Sequence, residues 1–459
     1  MDAGEVTGVG PGQCVGDLLG GALAHLGVTR VFGAPSDGIS GIAGMAHVRV
    51  DEPLLAATLA LAAGRVGPAP GVALLPGRRL VVGATPGMRS APLVVTDPEE
   101  LLSLVAAWDR PAVTGSSGAG VELVVDVDLD APAGEHDVIE VGHGGAAMTL
   151  AEDMRGVGAV IVAGPGVGRA GRVGDLVQLA HDGGMRIVVV PGAAGMVSGS
   201  DPAFDGVVTL QSEDLAMAGV SGAPFVVVSG VDGVELDRGP DEPPWSLGSQ
   251  VLEVDPVHLA TLGLRWEPPV PPMPAPSALA AVTASVIEAC LAGEPGDSSP
   301  VAACRALGAV ARRNTLLAAD GGPAGLWLAR VSTDASPGAL RLPGLRAPGF
   351  AVAAAIAAAL EGRPAVAVTT EPHDPFTAEL LELAVAWQLD ITVASWGAGT
   401  LPVGGVDDQA ATWTAALRAA GREQGVSEVG LGVDVSSTRL LVEAFGPVEG
   451  WRPAVTEAV

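Results

Sequence analysis

Two hydrophobic periods alternate along this chain. Leucines at 18, 19, 23 and 26 give residues 15–26 helical spacing, Gly27 supplies a stop, and Thr29-Arg-Val-Phe reads as a strand. Gly33-Ala-Pro-Ser-Asp-Gly is a turn cluster. Val48-Arg-Val is a strand ending at Asp51-Glu52, with a helix behind it through Ala63. Residues 92–96 and 121–127 are further strand candidates, and the polar, glycine-rich stretch 131–147 reads as a boundary. The alternation then returns, with strands at 159–164, 187–190, 225–228 and 251–256 and a helix at 173–181. Residues 268–276, Pro-Pro-Val-Pro-Pro-Met-Pro-Ala-Pro, are too rich in proline for a helix or inner strand and predict an extended spacer. A third run begins near Ser277 and includes an apolar helix at 351–360, a strand at 365–369, a helix from 379 and a strand at 390–396. Short strands alternating with helices predict α/β units on parallel sheets. The expected fold class is α/β, with three doubly wound parallel-sheet domains at 11–135, 148–265 and 277–459, and a linker at 266–276.

Composition narrows the chemistry. A length of 459 residues suits roughly three domains. Hydrophobic residues make up 48% and mean hydropathy is +0.43, yet the longest apolar stretch, 351–360, is far short of the ~20 residues a membrane span needs. The first residues lack the basic region and apolar core of a signal peptide. The three cysteines, Cys14, Cys290 and Cys304, are distant and indicate neither a disulfide framework nor a zinc knuckle. These features lead to the expectation of a cytoplasmic protein with no membrane partner. A net charge of −28 argues against nucleic acid, whose phosphates need basic surface. The chain has no lysine, which excludes a Schiff-base lysine, a pyridoxal phosphate anchor and a P-loop lysine together. Asn314 is its single asparagine.

The segment 348–399 carries the strongest signal. Pro348-Gly-Phe-Ala-Val-Ala-Ala-Ala-Ile leads to the strand Ala365-Val-Ala-Val-Thr, then Thr370-Glu371-Pro372, a helical run, the strand Asp390-Ile-Thr-Val-Ala-Ser-Trp, and Gly397-Ala398-Gly399. This order resembles the diphosphate-binding domain of thiamine diphosphate (ThDP) enzymes of the acetolactate synthase and 2-oxo-acid decarboxylase superfamily. Gly27-Val-x-x-Val-Phe-Gly33, Val50-Asp-Glu-Pro-Leu-Leu-Ala-Ala, Ser90-Ala-Pro-Leu-Val-Val-Thr and Val254-Asp-Pro extend the resemblance over nearly the whole chain. It implies pyrimidine-binding, central and diphosphate-binding domains in that order, with the segment 52–90 shortened. In that family a Gly-Asp-Gly follows the first strand and an Asn pair follows the second. Laid over this chain without gaps, the former falls on Thr370-Glu371-Pro372 and the latter on Gly397-Ala398.

By this resemblance Glu52 holds the catalytic and cofactor position of the activating glutamate. There the carboxyl promotes the imino tautomer of the aminopyrimidine, and the cofactor supplies the carbanion chemistry. The competing reading is an acid in the first turn of a helix, favoured by the helix dipole; the flanking pattern favours the inherited position. Glu371, Gly397 and Ala398 fall at the cofactor-binding positions, and Glu371 at the metal position. Glu371 keeps the charge of a metal-binding Asp but lengthens it by a methylene, although Mg²⁺ demands near-octahedral geometry. Gly397-Ala398 offers no side-chain oxygen, and Pro372 removes an N–H. ThDP and Mg²⁺ are therefore implied by the resemblance, while most of their ligands are missing.

Other candidates have plainer readings. His373-Asp374 beside Glu371 suits a metal in composition, yet neighbours in a turn rarely aim at one ion, and a solvated loop is the better reading. Gly164-Pro-Gly-Val-Gly-Arg-Ala-Gly171 resembles a phosphate loop, but a lone glycine-rich turn is weak evidence. Asp407-Asp408 and the scattered histidines show no ligand spacing, and Cys304 reads as packing. The leading expectation is a structural or regulatory protein with an atypical or lost Mg-ThDP site, working as a homodimer or tetramer or beside a catalytic homologue. One alternative is an active 2-oxo-acid decarboxylase or carboligase with non-standard ligation; another is a cofactor-free enzyme using the old cleft. The apolar helices 54–63 and 351–360 are expected to be too hydrophobic to stand exposed in a monomer.

Overall fold

The structure, a computed structural model, describes residues 14–34, 42, 44–83, 93–97, 100–101, 121–127, 158–232, 235, 250–263, 272–292, 299–311, 314–331, 337–344, 347–397, 399 and 404–451. The expected boundary at 131–147 and most of the linker lie outside them; residues 272–277 carry no helix or strand before the helix Ala278–Leu291. The chain forms two compact units, residues 1–149 apart from 115–117, and residues 115–117 with 150–459.

The first unit holds β1 (Arg30–Phe32), β2 (Ala46–Val48), β3 (Val72–Leu75), β4 (Arg79–Val82), β5 (Leu93–Val95) and β6 (Val121–Val125), in the order β2-β1-β3-β4-β6-β5. This sheet is mixed, because β4 runs antiparallel to both β3 and β6. Pro76-Gly-Arg78 closes the β3–β4 hairpin, with Gly77 at φ 75° and Arg78 at φ 59°. A turn that needs positive φ is well served by glycine, which has no Cβ to clash.

The second unit carries two wholly parallel sheets. β7 (Val160–Ala163), β8 (Arg186–Val189), β9 (Phe204–Val207), β10 (Phe225–Ser229) and β11 (Gln250–Val254) lie in the order β11-β10-β7-β8-β9. β12 (Leu316–Ala319), β13 (Leu340–Arg341), β14 (Ala365–Thr369), β15 (Ile391–Trp396) and β16 (Val426–Leu431) lie in the order β13-β12-β14-β15-β16. Inner strands such as β7, β14 and β15 are buried along their whole length, as expected where helices cover both faces of a parallel sheet. Three sheets, all but one strand of them built on parallel pairing, agree with the expected fold class.

One hydrophobic core runs from the second sheet into the third. Polar contacts reinforce it. Arg330 donates to Val207 O at 2.6 Å and to Gln211 Oε1 at 3.2 Å, pairs with the buried Asp214 carboxylate, and lies 4.5 Å from the Phe445 ring centroid. Gln211 in turn donates to Leu441 O and Gly446 O, and Ser277 N donates to Asp205 Oδ1 at 3.1 Å.

The helix Phe350–Leu360 is apolar all round and correspondingly enclosed, with Phe350 to Ala358 buried. In the helix Pro53–Val66, Leu54 is 57% exposed while Leu55 to Ala60 and Ala62 are buried. The expectation that these two helices would present bare apolar stripes in a single chain is corrected: the chain already covers them, apart from Leu54. Among the described residues no helix is long and apolar enough to cross a membrane.

Candidate functional site

Ligands of open parallel sheets settle at the carboxyl ends of the strands, where the strand order reverses. In the third sheet that reversal lies at β12, whose neighbours are β13 on one side and β14 on the other. Thr369 of β14 is in register with Ser395 of β15, so the turns that follow the two strands share one edge. The structure thereby brings Glu371 and Gly397 to the same end of the sheet. Ala398 lies outside the described residues. Gly397 has φ 88°, and a Cβ there would sit 3.3 Å from Val435 Cγ1.

A third loop joins them. Asp320 follows β12, and its Oδ1 accepts from Ala351 N at 2.8 Å, at the start of the helix Phe350–Leu360. That helix has Gly349 as its N-cap, at φ 70°, and so has no local side chain to satisfy its amides. A Cβ on Gly349 would meet Leu380 Cδ1 at 2.7 Å. The Thr369 hydroxyl donates to Asp320 and accepts from Glu371 N at 3.2 Å. Burial pushes the Asp320 carboxyl up to about 6, and the neighbouring Glu371 and Asp374 carboxylates add to the rise against these hydrogen bonds. Asp374 caps the helix Pro375–Ala386, its Oδ1 accepting from Phe376 N at 3.1 Å and Thr377 N at 3.3 Å. Trp451 packs beside this edge: a Cβ on Gly321 would lie 2.6 Å from its ring, and its indole N–H donates to Pro343 O.

These groups do not fit a magnesium-bound diphosphate. Four amides at this edge are already engaged: those of Ala351, Phe376 and Thr377 by carboxylates, and that of Glu371 by Thr369. Pro372 and Pro375 have no N–H to offer. Among the described residues, no group of three or more His, Cys, Asp or Glu side chains is arranged to hold a metal ion.

Glu52 is exposed, and its Oε2 accepts from Leu55 N at 2.7 Å, making it the N-cap of the helix Pro53–Val66. His373 is exposed and Asp374 is spent on capping. In the glycine-rich turn the backbone packs on itself: Gly164 N donates to Ser229 O and Gly166 N to Gly230 O. A Cβ on Gly164 would stand 2.2 Å from Gly230 O, and the Arg169 side chain is held by Asp232. Its glycines serve close approach of two backbone segments. Asp407 pairs with Arg305, and burial pushes the Cys304 thiol well up, out of reach of ionisation. Sequence reasoning missed Asp320 and Trp451. The available signal for Asp320 was an acid followed by Gly321-Gly322-Pro323 directly after an apolar strand.

No protein-family model matches the sequence, and no curated protein matches it. Among solved structures, one from Mycobacterium smegmatis, described as a candidate thiamin diphosphate-dependent enzyme, superposes with a TM-score of 0.62 at 15% identity. The match covers 91% of this chain and 99% of that one. At this identity the likeness speaks to architecture: the chain has the fold of that structure, three α/β sheets in series.

Proposed function

We propose that this chain is a structural or regulatory protein built on a ThDP-enzyme fold whose Mg-ThDP site has been lost. The observation that carries the reading is the turn after β14. Where the resemblance calls for a metal-binding Asp between two glycines, the turn has Glu371, exposed, with its amide already engaged, followed by Pro372. The matching turn after β15 contributes Gly397, which has no side chain. In this reading the protein acts in the cytoplasm as a homodimer or dimer-based tetramer, or beside a catalytic homologue. Glu371, Gly397 and Ala398 are then relics of cofactor positions, and Glu52 has become a helix cap.

Calorimetric titration of the full chain with ThDP and Mg²⁺ tests the proposal. The expected result is no saturable heat at millimolar cofactor. Tight, magnesium-dependent binding would overturn it and favour an active 2-oxo-acid decarboxylase or carboligase with non-standard ligation. Light scattering tests the assembly, where a mass equal to one chain at micromolar concentration would contradict the homo-oligomer.

A further inference from the structure

The two helices that start at the carboxyl edge of the third sheet run Phe350–Leu360 and Pro375–Ala386. Each N-terminus bears partial positive charge and orphan amides, the usual seat of an anion in a parallel α/β fold. We propose that Asp320 and Asp374 act as built-in anions at these two seats, so that the chain itself denies this sheet edge to external phosphate. The proposal rests on the functional reading above and says how the site was lost.

Three observations carry it. First, Asp320 is not a local cap. It reaches across from the end of β12, 31 residues away in sequence, to a helix whose own N-cap is a glycine without a side chain. Second, Asp374 takes two amides at the other helix, and proline at its first position removes a third donor. Third, among the described residues no arginine pairs with Asp320, Glu371 or Asp374. With no such arginine beside them, Asp320 and Asp374 have the helix ends, each a partial positive charge, as their countercharge. An incoming diphosphate would have to displace both carboxylates and then sit among three like charges.

The test frees the amides. In Asp320→Ala combined with Asp374→Gly, both seats lose their carboxylates; glycine at an N-cap costs only a few tenths of a kcal/mol. Inorganic pyrophosphate is then titrated by calorimetry at low salt, without magnesium, into the parent and the variant, and melting curves are recorded with and without it. The parent should show no binding and no shift. The variant should bind at least about tenfold more tightly and melt higher with pyrophosphate. Asp320→Asn with Asp374→Asn, which removes charge but keeps an acceptor on each amide, should gain less. Should the double variant fail to fold, Asp374→Gly alone is measured in the same way and should still gain affinity. A folded variant that takes no more pyrophosphate than the parent overturns the proposal and leaves the functional reading standing. A parent that binds Mg-ThDP overturns the functional reading first.

Discussion

At the scale of single residues, Asp320 is the most informative side chain. Its carboxyl rises from an ordinary 3.8 to about 6, chiefly through burial. The folded state therefore holds the proton more tightly than the unfolded chain does. The stabilisation is fully present below about pH 4 and is lost as the pH rises through about 6. Asp320→Asn keeps an acceptor for Ala351 N without the charge, so its melting temperature should gain on the parent's as pH rises from 4 to 7. A constant difference across that range would remove Asp320 as the titrating group. Asp374 makes a simpler prediction: Asp374→Ala should cost about 1 kcal/mol in chemical denaturation, and Asp374→Ser much less, because serine also caps. Glu371 and Gly397 were legible in the sequence because long apolar strands deliver them to the sheet edge. Asp320 was not, because an acid after a strand acquires meaning only once a glycine-capped helix folds against it. Glu52 shows how two sequence readings can share one residue: it accepts from Leu55 N as the cap of its helix, the plainer of the two.

Among the elements, the join between the second and third sheets turns on Arg330. This guanidinium is buried, pairs with a fully buried Asp214, and also holds Val207 O and Gln211. Asp214 Oδ2 in turn accepts from Leu210 N and Gln211 N, each at 2.9 Å. Arg330→Met would leave the Asp214 carboxylate buried without its cation, and roughly 3–5 kcal/mol of stability should go. Replacing both partners by apolar residues should cost far less; equal losses for the single and double changes would show that shape, rather than charge, makes the join. None of this was visible in sequence, since Arg330 and Asp214 are 116 residues apart. Strong apolar runs did give β7, β8, β10, β14 and β15 almost to the residue. β9, β12, β13 and β16 are not predicted: Phe204-Asp-Gly-Val and Val426-Ser-Glu-Val-Gly-Leu have no clean alternation, β12 is only four residues and β13 two. The hairpin β3–β4 also went unread, although Pro76-Gly77 between two apolar runs is a turn signal. The glycine-rich turn at 164–171 gives a further test. Gly164→Ala would drive a methyl into Gly230 O, so it should destabilise by about 1–3 kcal/mol in chemical denaturation.

For the whole molecule, the governing quantity is charge. There are 52 acidic residues and 24 basic ones, a net −28 on one chain. Excess of one sign favours solubility but strains the compact state by self-repulsion. Local ion pairs do little to offset it, since Arg49–Asp51, Arg305–Asp407 and Arg439–Glu443 all involve exposed groups. Pairs of that kind are worth about 0–1 kcal/mol and weaken with salt. Two opposite responses to ionic strength therefore compete. Near ~10 mM salt the screening length is about 30 Å, comparable to a domain, so most acids on one unit feel one another; near 0.15 M it is about 8 Å, and only immediate neighbours do. With 28 uncompensated charges against a few exposed pairs, long-range repulsion should dominate. The melting temperature at neutral pH should accordingly rise as sodium chloride goes from ~10 mM to 0.15 M, with most of the gain in that first interval. The gain should shrink near the isoelectric region, where the acids begin to protonate. A melting temperature that falls with added salt at pH 7 would mean that exposed ion pairs such as Arg49–Asp51, Arg305–Asp407 and Arg439–Glu443 outweigh the net charge in holding the fold.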